Sequence, residues 1–313
     1  MIDPFRTRNA EYALRSETNP SGRNDVRHLS PALAGFVLLV AVPAHAQDAT
    51  DPVAAPEPVG SDADRNRLTI GLGAANLPDY EGADDNQWFP GAVAVGRVGG
   101  FDFFTRGSQL YVDLIRDRPG PGVNFELGVI GAVRLDRTQD IRNPQVRALG
   151  ELDEAYEVGG FVGVSRTGVI TSDFDTLTAR VAMVHDVSDV HGSYVVTPQV
   201  NYTTPLSLGT LVSVGASADY VGRGYGRTYF SVTPAQALAS GLRPYAVTGS
   251  GFRRLNFQAF ALQSLGGDLR RGFGIGGGVL YGRLLGDYAD SPVVRDVGDR
   301  DQWSVALGVS YTF

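Results

Sequence analysis

The stretch Trp303-Ser304-Val305-Ala306-Leu307-Gly308-Val309-Ser310-Tyr311-Thr312-Phe313 decides the fold. Its odd positions are large and apolar; its even positions are Ser, Ala, Gly and Thr. A period of two held this long puts one face in an apolar phase and the other in a wet or crowded one. The same pattern recurs upstream. Tyr194, Val196, Val200 and Tyr202 oppose Val195, Thr197, Gln199, Asn201 and Thr203. Leu177, Ala179, Val181 and Met183 oppose Thr176, Thr178 and Arg180, and Val212, Val214, Ala216 and Tyr220 oppose Ser213, Gly215, Ser217 and Asp219. A soluble sandwich also alternates. Its strands average about five or six residues, however, and segments of roughly ten with one apolar face are the signature of a transmembrane β-strand.

Twelve alternating segments are found, at 68–77, 88–98, 101–106, 109–115, 123–135, 155–167, 174–186, 193–204, 208–222, 252–264, 272–285 and 303–313. The third and fourth fall short of the roughly nine residues a full span needs, so ten strands is the fallback count. The connections favour twelve. With both termini periplasmic, the connections at 99–100, 116–122, 167–173, 205–207 and 266–272 are short, whereas 136–154, 223–251 and 286–302 are long. Short periplasmic turns and long extracellular loops are the rule for outer-membrane barrels. Aromatics agree: Phe125, Phe273, Tyr202, Tyr311 and Phe313 fall toward one end, and Tyr220, Tyr281, Tyr156, Tyr194 and Trp303 toward the other. The expected fold is all-β, a transmembrane antiparallel barrel, whose closure removes the exposed edges of a long open sheet.

Composition narrows the function. All 27 cations among the 313 residues are Arg, against 34 acids, for a formal charge of −7, and Cys is absent. That excludes a disulfide framework, a thiolate metal site and a cysteine nucleophile. It also argues against nucleic acid as partner, which would require a clustered basic surface. The mean hydropathy of −0.07 is what a lipid face averaged with a wet face gives. Many of the 40 glycines, among them Gly71, Gly73, Gly274, Gly276 and Gly308, stand at inward strand positions where a curved wall needs small residues.

The N-terminus reads as an address. Leu33 to Val42 is an apolar run flanked by Arg27 and His28, and Ala44-His45-Ala46 is an A-x-A cleavage pattern, so a secretory signal peptide ending at Ala46 is expected. Residues 1–25 mix charges without pattern, and Val26 opens a signal peptide of ordinary length; translation is expected to start there. Deleting residues 1–25 should leave export unchanged, and lost export would overturn that reading. Cleavage at Ala46 takes away five Arg and four acids, leaving the mature chain at −8. Residues 47–66, mainly Asp, Ala, Pro and Ser, bury too little to offset their ordering entropy and read as a periplasmic spacer. The barrel is expected to occupy 67–313.

Inward positions carry Glu126, Arg134, Glu157, Arg180, Gln199, Asn201, Asp219, Arg254, Asn256 and Gln258. Eight strands leave an interior filled by side chains and sixteen or more leave a channel. Twelve fall between, so these residues either cross-link the lumen or line a narrow pore. In the longest loop, Thr233-Pro234-Ala235-Gln236 followed by Gly241 spells a short capped helix, with Thr at N-cap, Pro at N1, Gln at N3 and Gly at C′, expected to fold over or into the mouth.

No catalytic, cofactor or metal residue is assigned. Asp84 and Asp85 opposite His185 and Asp186 would echo the water-activating carboxylates and His of the omptin proteases, but acidic loops are ordinary on such barrels. His185, Asp189 and His191 make a weak metal set. The glycines of 272–278 lie inside an alternating strand with no helix after it, which fails the context of a dinucleotide loop.

The segments NLPDYEGADD (76–85), YFSVTPAQALASGLRPY (229–245), LLGDYADSPVV (284–294) and VALGVSYTF (305–313) resemble the MipA/OmpV family of outer-membrane proteins, over about Leu68 to Phe313. The resemblance implies a non-enzymatic outer-membrane barrel, exported by a cleavable signal peptide, that scaffolds peptidoglycan synthesis by linking a lytic transglycosylase to a penicillin-binding protein. A narrow porin-like solute channel, or an adhesin acting through its extracellular loops, is the alternative that other members suggest. The other expected partners are outer-membrane lipid, lipopolysaccharide and the barrel-assembly machinery, the last through the final strand ending in Phe313.

Overall fold

In a computed structural model, residues 66–118, 120–138 and 141–313 are described. The expected signal peptide, the Val26 start and most of the spacer lie outside them. The first six strands are β1 (Arg67–Pro78), β2 (Asn86–Val98), β3 (Phe101–Arg106), β4 (Gln109–Asp113), β5 (Gly122–Arg134) and β6 (Ala155–Thr167). The rest are β7 (Thr176–Asp186), β8 (Tyr194–Ser207), β9 (Thr210–Val221), β10 (Gly251–Ser264), β11 (Gly272–Leu284) and β12 (Asp301–Thr312). Each pairs antiparallel with its chain neighbours, and β1 pairs with β12 from Thr69↔Thr312 to Asn76↔Val305, closing the barrel. The count is twelve, because the short β3–β4 hairpin is part of the wall. Strand β4 ends at Asp113 rather than 115, since the Asp113 carboxylate takes the N–H of Ile115 at 2.8 Å and turns the chain.

Register settles which face is which. Tyr311, Val309, Leu307 and Trp303 on β12 align with Phe273, Ile275, Gly277 and Tyr281 on β11, and these residues form the outer face. Cross-strand aromatic pairs mark its two ends: Phe273 with Tyr311 at 4.8 Å between centroids, and Tyr281 with Trp303 at 4.9 Å. Such pairs suit the two interfaces of a bilayer, where an amphipathic ring has one dry and one wet side. The apolar outer face is the surface of a transmembrane barrel. Among the described residues no helix is long and apolar enough to cross a membrane.

The two rims differ as the sequence suggests. Turns at 99–100, 114–121, 168–175, 208–209 and 265–271 form the short-turn rim. In the turn before β7, burial pushes the Asp175 carboxyl up. The hydrogen bonds it accepts from Tyr202 and from the N–H groups of Thr171, Val169 and Ile170 overcome this and hold it well below the usual carboxylate range. The other rim carries the loops 135–154, 222–250 and 285–300 together with 79–85 and 187–193. These hold five helices: α1 (Pro144–Arg147), α2 (Arg223–Phe230), α3 (Pro234–Ser240), α4 (Gly286–Ala289) and α5 (Pro292–Arg295). Helix α3 is the one expected from its capping box: Thr233 and Gln236 cap reciprocally, and Gly241 closes the helix at φ +74°.

Candidate functional site

The long-loop mouth is closed by the segments whose motifs stand out in the sequence. Tyr80, from the first loop, donates to the carbonyls of Val297 at 2.8 Å and Val293 at 3.2 Å. Ser291 donates to the carbonyl of Phe230 at 2.6 Å, and Tyr245 to that of Asp287 at 2.8 Å. Tyr80, Ile141, Val146, Val232, Leu242 and Val293 then pack into one buried apolar cluster. The cap thus has its own small core, and burial of that core holds the loops together.

Beneath the cap lies a charged latch. Helix α2 lowers Tyr225 into the mouth, where its ring sits between two guanidiniums, Arg134 and Arg253, each 5.0 Å from the centroid. The Tyr225 hydroxyl donates to Glu81 Oε2 at 2.9 Å and accepts from Arg253 at 3.0 Å and Arg134 at 3.2 Å. Arg253 also pairs with the other oxygen of Glu81, and its Nη2 reaches Asp219 Oδ2 at 2.8 Å. Arg134 holds Glu157 through two bonds of 3.0 and 3.1 Å, and Nε2 of the buried His191 lies 3.0 Å from Glu157. Burial pushes the Tyr225 phenol well above its ordinary value, so it remains a neutral donor. In the loop above, burial likewise pushes the Asp136 carboxyl up to about 7, while its Oδ1 accepts the N–H of Glu81 at 3.1 Å. Charges removed from water must be paired to be tolerated, and these pairs span 79–85, β5, β6, β9, α2 and β10. They tie the cap to the barrel wall.

A second cluster lies deeper in the lumen, where Arg180 on β7 and Glu126 on β5 meet over Gly163 of β6. Arg180 bonds Glu126 at 2.8 Å and 2.7 Å through two nitrogens, and its guanidinium lies 4.9 Å from the Phe161 ring, 5.0 Å from Phe104 and 5.9 Å from Tyr111. Arg106 donates to Gln199 beside it, and Gln258 to Asn201 at 2.8 Å. A guanidinium held over aromatic faces, with two of its nitrogens on one carboxylate oxygen, is a strong cross-link.

Every inward residue expected from alternation faces inward, and the structure brings Arg134, Glu157, Asp219, Arg254 and Asn256 together at the latch. Glu81, Tyr225 and Arg253 are the ones the alternation misses. Arg253 should by parity face lipid, but the register shifts between Phe252 and Arg254, a bulge that turns both Arg253 and Arg254 inward. The Arg-Arg pair was itself the signal, since an Arg on the lipid face costs about 2–4 kcal/mol near the midplane.

The loop residues weighed for chemistry are not assembled. Asp84 and Asp85 are exposed, His185 points outward, and Asp186 is buried, accepting from Ser188, His191 and Gly192 to fold the loop after β7. His191 is buried against Glu157, apart from His185. Among the described residues no group of three or more His, Asp or Glu could hold a metal ion.

Residues 70–313 match the family model described as MltA-interacting protein MipA. No curated protein matches the chain. Among solved structures the chain is similar to the outer membrane channel DcaP of Acinetobacter baumannii, at 10% identity and a TM-score of 0.36, covering 79% of this chain and 96% of that one. It is similar also to the Pseudomonas putida toluene transporter TodX, at 8% identity and a TM-score of 0.34, covering 84% and 96%. At these scores neither likeness assigns a solute or a site to this chain.

Proposed function

This outer-membrane barrel belongs to the MltA-interacting protein (MipA) family, and on that premise we propose that it is a non-enzymatic anchor that docks a lytic transglycosylase on its periplasmic side. The observation that carries the reading is the cross-linking inside the barrel: Glu81, Arg253 and Asp219 pair beneath the cap, and deeper down Arg106 meets Gln199 and Arg180 lies over Phe104, so on this reading the axis is barred at two levels. A barrel so cross-linked suits a role as a platform better than one as a water-filled pore. On this reading residues 1–46 are the leader, and 47–66, which lead into β1 at the short-turn rim, are the segment that meets the enzyme. The turns themselves offer little surface, although Ile170, Leu206, Leu208 and Leu265 are exposed there. A penicillin-binding protein joins through the transglycosylase, and lipopolysaccharide surrounds the outer belt.

Pull-down from detergent extract with a purified lytic transglycosylase of the MltA type tests this. The mature chain should retain the enzyme, and deletion of 47–66 should abolish retention while the barrel stays folded. Retention by neither form would overturn the docking reading.

A further inference from the structure

Strand β2 has a partner along only one of its edges for most of its length. Toward β1 it is paired throughout, from Arg67↔Arg97 to Pro78↔Asn86. Toward β3 the ladder covers only Val95–Val98, extended by the Ala94 N–H donating to Thr105 Oγ1 at 2.9 Å. The hairpin β3–β4 stops at Arg106–Gln109, so among the described residues positions 86–93 face no neighbouring strand on that side. The wall there is apolar outside, with Trp88 at its long-loop end and Pro90, Ala92 and Ala94 below it. Pro90, which lacks an N–H, is suited to such an edge. An open strand edge in hydrocarbon is costly, and backbone at that depth is tolerated where it lines a cavity.

The inner wall behind this edge has a matching relief. Gly276 pairs with Gly308, Gly308 with Gly73, and Gly73 with Gly91, so one cross-strand row over β11, β12, β1 and β2 is entirely glycine on the lumen face. Part of the row answers to curvature: a Cβ on Gly73 would fall on the carbonyl oxygen of Leu307, where the wall bends sharply. Curvature does not account for Gly91. A Cβ there would meet nothing within 4 Å, and Gly91 is exposed although it faces inward. At the other end Phe260 and Leu262 lie over Gly276 and close the row. Three strand spacings make the groove about 14 Å long. It is floored by backbone, closed at its inner end by Phe260 and Leu262, and bordered at β2 by the unpaired edge.

We propose that this gap is a lateral port, through which the alkyl chain of a single-chain amphiphile dissolved in the membrane slides past Gly91 into the glycine groove. The unpaired β2 backbone at the port offers hydrogen bonds to the polar head. The bound chain thus lies across the wall, below the latch, and needs no opening of the mouth. The proposal is independent of transglycosylase docking.

Photolabelling tests it on the full barrel in a phospholipid nanodisc, with palmitate carrying a diazirine on its alkyl chain as probe. Carbene adducts are expected on lumen-facing Phe260 and Leu262 as well as on lipid-facing Ala259 and Ala261. Gly91→Trp should abolish the lumen adducts and leave the lipid-facing ones, with Gly91→Leu as the milder block should the larger ring hinder folding. Heat-modifiable gel migration reports the fold. Absence of lumen adducts in the wild type, as a second copy covering the edge would produce, overturns the proposal. So do lumen adducts that persist in the folded blocked variants.

Discussion

Arg253→Ala should unseat the long-loop cap and cost the barrel on the order of 3–5 kcal/mol, the scale for breaking a buried ion pair. The side chain is 3% exposed and serves two carboxylates at once, Glu81 and Asp219, themselves 2% and 1% exposed. Arg254 stands 3.7 Å from Glu81 and 3.6 Å from Asp219 and offsets only part of the loss. Tyr225 loses one flanking cation and one donor, so α2 loses its grip on the mouth. The expected result is a lower thermal midpoint by heat-modifiable migration and new protease cleavage in 222–250. Conductance separates the two proposed barriers. The wild type should carry no resolvable current in a planar bilayer, and Arg253→Ala combined with Arg180→Ala should conduct, because the guanidinium that reaches from β7 to Phe104 on β3 is then gone as well. An open wild-type pore, or a double variant that folds and stays closed, would sink the claim that these arginines block the axis.

Much of the barrel was legible because a membrane wall imposes a local rule. In β12 each residue declares its face through its neighbour two positions away, so strand existence, parity and rim assignment follow from short stretches of chain. Helix α3 was legible for the same reason: Thr233, Pro234, Gln236 and Gly241 define its ends within nine residues. The latch obeys no local rule. Tyr225 meets Glu81 across 144 positions and Arg253 meets it across 172, and the bulge at Arg253 reverses the parity that alternation assigns. The port was half visible. The shortness of 101–106 and 109–115 marked an irregular wall, but only the register shows that the missing pairs fall on β2 at 86–93, in line with the glycines of three other strands.

The cap should loosen as pH rises from about 4 to about 7, and Asp136 should be the cause. Its carboxyl is 5% exposed and is held near 7 chiefly by burial, with Asp79 adding to the rise while Arg137, Arg134 and Arg254 oppose it. In the unfolded chain the group ionises near its ordinary 3.8. Between about pH 4 and 7 the folded state therefore keeps a proton that the unfolded state has lost, and stability falls across that window. Above it the loss is complete, on the order of a few kcal/mol. Asp136→Asn keeps the oxygen that accepts the Glu81 N–H but cannot ionise. Hydrogen exchange of the amides in 79–85 and 135–138, corrected for intrinsic rates, should be slower at the acidic end of the window than above it in the wild type. In the variant the protection should be the same at both ends and match the acidic wild type. A wild-type cap whose protection ignores pH, or a variant that keeps the dependence, would show that another group governs the mouth. The arginines around Asp136 are also those of the latch, so a cap that loosens at the alkaline end should expose Tyr225 before the strands themselves give way.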